Sequence, residues 1–399
     1  MKIGIVRETK LPVERRAPLT PDQCQRLLEQ YPELKIVVQP APDRVFPDQD
    51  YERAGVEICE DLSGCDLLFG IKEVRPRDLI AGKTYLFYSH TIKKQPHNRE
   101  MLKAILQKGI TLIDYELLKG EDGKKLIGFG RFAGIAGAYL AVLAIGERTG
   151  NFHLNPVARF DSLHDMYAEL AQVKLPPWRV AITGRGKVAK GAEEILESVG
   201  MQPVSVDDYL KKDFEFPVYV ELAPGEFIRS KTGEPFSKET FRLNPENFEG
   251  NFYRFIPSTD LLITAAYWDP RGPEYYSHED MLNENFSIRI VADIACDING
   301  PVPSTLRATT IEDPFYDFNP ITGKEEKPFS SSENITTMAV DNLPTIPARE
   351  GSEVFGEILI EKVIPGLLPG KMETMIERAT ITRNGELCMD FNYLKNYVR

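Results

Sequence analysis

Cysteine is scarce in this chain of 399 residues: Cys24, Cys59, Cys65, Cys296 and Cys388 are scattered, odd in number and include no C-x-x-C pair. That usage suits a reducing compartment and predicts neither a disulfide nor a zinc site. Histidine is equally sparse, with no H-E-x-x-H or similar ligand spacing, so no metal is expected. No run approaches the roughly 18 apolar residues that cross a bilayer, and the opening MKIGIVRETK lacks the apolar core of a signal peptide. A basic excess is missing too. The formal charge of -12 and the pI near 5.2 argue against a nucleic-acid or anionic-membrane surface. A soluble, cytoplasmic protein is expected.

What is present is alternation. The length exceeds that of one ordinary domain, so two lobes are expected. Short β-rich runs (KIGIV, KIVVQ, VEIC, DLLFGI, TYLFY, TLIDY) alternate with helical patterns over the first 120 residues, the mark of a parallel sheet covered by helices. The apolar segment GIAGAYLAVLAIGERTG reads as a buried helix linking two lobes. A second series follows Arg179, with strands at RVAIT, QPVSV, DLLITAAY and SIRIVADI. The fold class expected is α/β, two Rossmann-like lobes with parallel sheets around a cleft. The first lobe is discontinuous, residues 1–138 plus 345–399. The second is a dinucleotide-binding lobe, residues 139–344, with an insertion at about 209–260 that holds one hairpin candidate, VYVELAPGEFIRSKTG.

RVAITGRGKVAKGAEEILESVG carries the strongest local motif. A strand runs into Gly184-x-Gly186-x-x-Ala189 and then a helix. Gly184 allows the tight turn, Gly186 lets backbone approach a pyrophosphate, Ala189 allows close packing, and the helix N-terminus favours the anion. Asp207, about 20 residues on, is placed by spacing to accept from ribose hydroxyls, which favours NAD. Lys211 or Lys212 could instead meet a 2'-phosphate, so NADP stays open.

In the first lobe, polar residues fall just beyond the strands. Arg16 follows the first strand, Lys72 and Glu73 follow DLLFGI, His90 and Lys93 follow TYLFY, and Glu116 closes TLIDY. Ligands of open parallel sheets bind at the carboxyl ends of strands, so these groups are expected on one rim. Lys72 and His90 suit proton transfer at an amine, and Arg16 and Lys93 suit substrate carboxylates. A solvated or charge-balancing role is the alternative for each of them.

Several motifs resemble the saccharopine dehydrogenase and alanine dehydrogenase superfamily, and within it the lysine-ketoglutarate reductase half of the α-aminoadipic semialdehyde synthases. They are ERRAPLTP, GIKE, KTYLFYSHTIKKQ, LIDYE, GFGRFAGIAG, TGRGKVAKGA, ADIACDINGPVPSTLRATTIEDPF and VDNLPTIPAREGSEVFG. The resemblance implies that Lys72 and His90 are catalytic and that Arg16 holds a substrate carboxylate. Lys93 and Gln95 are implied in the active site, and Glu73, Glu116 and Asp341 near the lysine moiety. It implies a reversible NAD(P)-dependent interconversion of saccharopine with lysine and 2-oxoglutarate. An alanine dehydrogenase-like enzyme and a non-catalytic nucleotide sensor are the competing readings.

Overall fold

The computed structural model describes residues 1–11, 13–368 and 374–399. The chain forms two α/β units, one built from Met1–Gly128 with Ala348–Arg399 and the other from Phe129–Pro347. The first unit is thus discontinuous.

Its sheet contains β1 (Lys2–Ile5), β2 (Lys35–Val38), β3 (Glu57–Ile58), β4 (Leu67–Phe69), β5 (Thr84–Phe87) and β6 (Thr111–Asp114). These run parallel in the order β6-β5-β4-β1-β2-β3, and Thr380–Arg383 and Glu386–Leu387 extend the β6 edge antiparallel. Strands such as β4, LLF, are apolar throughout because both faces are covered. Chain order reverses between β1 and β4, so a switch point opens beyond their carboxyl ends.

The returning helix Ala348–Ile358 docks on helix Pro21–Gln30, whose start is set by a capping box between Thr20 and Gln23. The Gln23 amide also donates to the Glu353 carbonyl at 2.7 Å, and Arg26 pairs with Glu357 at 2.8 Å. Sequence neighbours of the first helix are thereby tied to the chain's last quarter.

In the second unit, β7 (Arg179–Thr183), β8 (Gln202–Pro203) and β9 (Val218–Leu222) are followed by a separate hairpin, β10 (Ile228–Ser230) with β11 (Phe248–Gly250). Then come β12 (Leu261–Thr264), β13 (Ile290–Asp293), β14 (Tyr316–Asn319), β15 (Lys324–Glu326) and β16 (Ile335–Met338). The sheet order is β15-β14-β16-β13-β12-β7-β9-β8, parallel except at β14 and β15. One expectation changes here. VYVEL is β9, paired in parallel with β7, and not the first arm of an inserted hairpin. Alternating VYVEL passes for an exposed hairpin arm, but it is mostly buried within the sheet.

Helix Gly130–Thr149 lies wholly in the second unit and crosses helix Lys187–Ser198 at very close range. A Cβ on Gly134 would sit 1.9 Å from the Val188 carbonyl oxygen, and one on Gly191 would sit 2.0 Å from that of Arg131. Two glycines therefore permit the backbone contact. The helix is long and apolar enough to cross a membrane, contrary to the reading of its sequence, but most of it is buried inside this fold.

Candidate functional site

At the switch point of the first sheet, Glu8 lies just beyond β1 and reaches across to β4. Its carboxylate accepts from the backbone N–H of Ile71 at 2.6 Å and of Lys72 at 3.0 Å. Burial, and next the charge of Glu14, push the Glu8 carboxyl up to about 8. Lys72 follows β4, and burial together with the neighbouring Arg16 charge lowers its ammonium pKa. A lysine in that setting gives up its proton more readily than a solvated one.

Arg16 is only 2% exposed. Its fork engages Glu14, with Nε donating to Oε1 at 2.8 Å and Nη2 to Oε2 at 2.6 Å. Burial opposes the Glu14 charge, yet Arg16 holds that carboxyl below its usual range. The bidentate edge expected to grip a substrate carboxylate is therefore taken by an internal partner. A substrate must meet Arg16 elsewhere or displace Glu14.

Beyond β5, the His90 Nδ1 and Glu73 Oε1 are 2.6 Å apart, and the Lys10 ammonium is 2.8 Å from Glu73 Oε2. Burial opposes ionisation of Glu73, but hydrogen bonds from His90 and Lys10 outweigh it and bring the group down to about 2. A firmly ionised carboxylate at hydrogen-bond distance fixes the orientation of the imidazole. Past β6, Glu116 Oε1 lies 3.0 Å from Lys125 and 3.4 Å from Lys93. Here too burial works against the charge, and the Lys125 hydrogen bond and Lys93 prevail, lowering the pKa.

Arg16, Lys72, Glu73, His90, Lys93 and Glu116 thus all belong to the carboxyl edge of one sheet, linked by ion pairs or electrostatic contact. Gln95 joins this rim through the Asn98 amide, which also reaches Glu73 Oε1 at 3.5 Å, and Asp341 belongs to the other unit. Gln95 is exposed and accepts weakly from the Asn98 amide at 3.4 Å. Asp341 is exposed beyond β16, in the second unit rather than on this sheet. Sequence reasoning missed Glu8, Lys10 and Glu14, although all three follow β1 in the same polar stretch as Arg16.

In the second unit the glycine turn connects β7 to helix Lys187–Ser198. Gly184 has φ 91° and packs within 3.1 Å of Ala266 if given a Cβ. A Cβ on Gly186 meets nothing within 4 Å, so open space lies against the N-terminus of helix Lys187–Ser198. Ala189 is fully buried under it. Unpaired N–H groups of that helix end and its dipole suit a pyrophosphate.

Asp207 does not stand where spacing put it. It lies in the first turn of helix Val206–Lys211, is exposed, and pairs with Lys211. That helix follows β8, the edge strand, whereas β9 is the neighbour of β7. Near the end of β9 stands Glu221, 3.5 Å from Arg185 Nε of the glycine turn and 3.1 Å from Lys190 Nζ. The chain makes an excursion through β8 before the adjacent strand, so a count of residues lands on the wrong carboxylate. Asp297, beyond β13, was missed too. Burial and the nearby Asp293 charge raise it to about 6. Among the described residues no group of His, Cys, Asp and Glu is arranged to hold a metal ion.

Each unit is a doubly wound α/β sheet, one with a glycine turn suited to phosphate and one with a rim of cations and carboxylates, the arrangement of dinucleotide-binding folds. A family profile described as Alanine dehydrogenase/PNT, N-terminal domain matches residues 4–136. The α-aminoadipic semialdehyde synthase of Arabidopsis thaliana is 33% identical, covering 98% of this chain and 41% of its own. The saccharopine dehydrogenase [NAD(+), L-lysine-forming] of Neurospora crassa is 24% identical, covering 88% of each chain. The solved structure of an L-alanine dehydrogenase shares the fold with a TM-score of 0.65 at 15% identity, covering 100% of this chain and 99% of that one. The first third of the chain thus carries the Alanine dehydrogenase/PNT N-terminal domain, and the chain as a whole is similar to α-aminoadipic semialdehyde synthases and saccharopine dehydrogenases. It spans less than half the length of the first curated relatives, 41% and 46%.

Proposed function

We propose that the chain is an NAD(P)-dependent oxidoreductase acting on a CH–NH group, and that it interconverts saccharopine with lysine and 2-oxoglutarate. The observation that carries this reading is the pair Lys72 and His90, which follow the neighbouring strands β4 and β5, the one buried beside a cation and the other bonded to a carboxylate. Lys72 is pushed toward its neutral form by burial and Arg16. His90 is bonded to an ionised Glu73.

When bound, the nicotinamide ring takes up or delivers the hydride. In the oxidative direction, Lys72 removes the proton from the secondary amine nitrogen of saccharopine as the adjacent C–H loses its hydride, giving an imine. His90 assists water as it adds to the imine carbon. Collapse of the carbinolamine then releases lysine and 2-oxoglutarate. The balance is saccharopine, NAD(P)+ and water giving lysine, 2-oxoglutarate, NAD(P)H and a proton. Ionised Glu73 and Glu116 offer acceptors for substrate ammonium groups, and Lys93 offers a cation for a carboxylate.

For the dinucleotide, the glycine turn supports pyrophosphate binding and Glu221 supports hydrogen bonding to the ribose, in place of Asp207. The test follows absorbance of NADH and NADPH with lysine plus 2-oxoglutarate, and separately with pyruvate plus ammonia. Oxidation with the first pair alone is expected. The family profile and the alanine dehydrogenase-like fold favour a second reading, a simpler amino acid dehydrogenase, which turnover of the second pair alone would establish.

A further inference from the structure

Asp114, the last residue of β6, is completely buried, and none of the proton transfers above uses it. One of its carboxylate oxygens accepts from the Ser89 backbone N–H at 3.1 Å and from the Ser89 hydroxyl at 2.5 Å. The other accepts from the Glu116 backbone N–H at 2.8 Å. The Ser89 and Thr91 hydroxyls meet at 2.8 Å on the far side of the turn.

These side-chain bonds reach beyond the sheet ladder. They gather the turns after β5 and β6 onto a single carboxylate. Between Ser89 and Thr91 stands His90, at φ 50° and ψ 13°. That left-handed conformation is disfavoured for a residue with a side chain and persists only where surroundings enforce it. The side-chain bonds on either side of His90 are those of Asp114, Ser89 and Thr91. Released from them, the peptide would relax toward negative φ, and the imidazole would leave Glu73.

We propose that Asp114 is a positioning residue, whose carboxylate clamps the turn after β5 so that His90 faces Glu73 and, through its second oxygen, sets the backbone of Glu116. The inference rests on the assignment of His90 to proton transfer. Asparagine cannot replace it. Its NH2 would confront either the Ser89 donors or the Glu116 N–H, so one arm of the clamp opens. Burial raises the Asp114 carboxyl, whereas the bonds from Ser89 and Glu116 oppose that rise. The clamp therefore depends on those donors being present.

The test uses Asp114→Asn and Ser89→Ala in the full chain, with histidine-selective 15N labelling. At fixed pH, D114N should move the imidazole resonances of His90 and leave those of His153, His164 and His278 in place. With lysine and 2-oxoglutarate, kcat should fall on the order of 100-fold, the lower end of what general acid-base groups contribute, while KM for the dinucleotide is unchanged. S89A should show the same changes, smaller. A folded D114N chain with wild-type His90 resonances overturns the clamp, and so does a shift in those resonances with no loss of turnover. If D114N does not fold, S89A with unmoved His90 resonances overturns it. A wild-type chain inactive on these substrates defeats the functional reading alone, and the resonances still decide the clamp.

Discussion

Lys72 and Arg16 make the sharpest residue-scale case, because their charges are coupled. On the proposed mechanism Lys72→Met removes the base and should lower kcat by about 100- to 10,000-fold, with little effect on dinucleotide affinity. The proposal has Lys72 act as the free amine in the oxidative direction, so rate should rise with pH through its depressed pKa. Arg16→Ala removes a cation beside it and leaves Glu14 uncompensated. Both changes favour the charged ammonium, so the rising limb of the pH-rate profile should move to higher pH. Steady-state rates of saccharopine oxidation across pH measure this. A limb that stays in place, or moves to lower pH, would show that Arg16 does not tune Lys72.

Strands and helices were the most legible part of the sequence. Apolar runs such as LLF, and VAI within RVAIT, mark parallel strands, and strand-turn-helix around Gly184 announced its own geometry. Less could be read where long-range order decides. Nothing local in VYVEL says that it joins β7, and that pairing is what moves the carboxylate beside the glycine turn from Asp207 to Glu221. Glu8 was invisible for a related reason: its partners, Ile71 and Lys72, are brought to it only when β1 and β4 pair. At this scale the crossing of helices Gly130–Thr149 and Lys187–Ser198 can be tested. Gly191→Ala would force a Cβ to 2.0 Å from the Arg131 carbonyl oxygen. Overpacking of this kind costs about 1 to 3 kcal/mol. A fall in melting temperature of roughly 5 °C is expected by calorimetry. Gly64→Ala, where a Cβ meets nothing within 4 Å, is the control and should melt as wild type.

The molecule as a whole carries a formal charge of -12, so an anionic dinucleotide approaches against the net field. Local cations have to offset this. Arg185, Lys187 and Lys190 cluster at the glycine turn, and Glu221 stands among them, near Arg185 and Lys190. If the Glu221 carboxylate accepts from the ribose hydroxyls, a 2'-phosphate brings like charge against it, and NADH is preferred over NADPH. Glu221→Ser removes the repulsion and frees Arg185 and Lys190 to pair with the phosphate. The ratio of kcat/KM for NADH to that for NADPH should therefore fall by about 10-fold or more, as expected when 1.4 kcal/mol or more changes hands. Asp207→Ser should leave the ratio unmoved, since that residue pairs with Lys211 on an exposed helix. Matched ionic strength is needed, because phosphate contacts are screened. A ratio that responds to Asp207→Ser and not to Glu221→Ser would return the ribose site to the edge strand, against the order of the sheet.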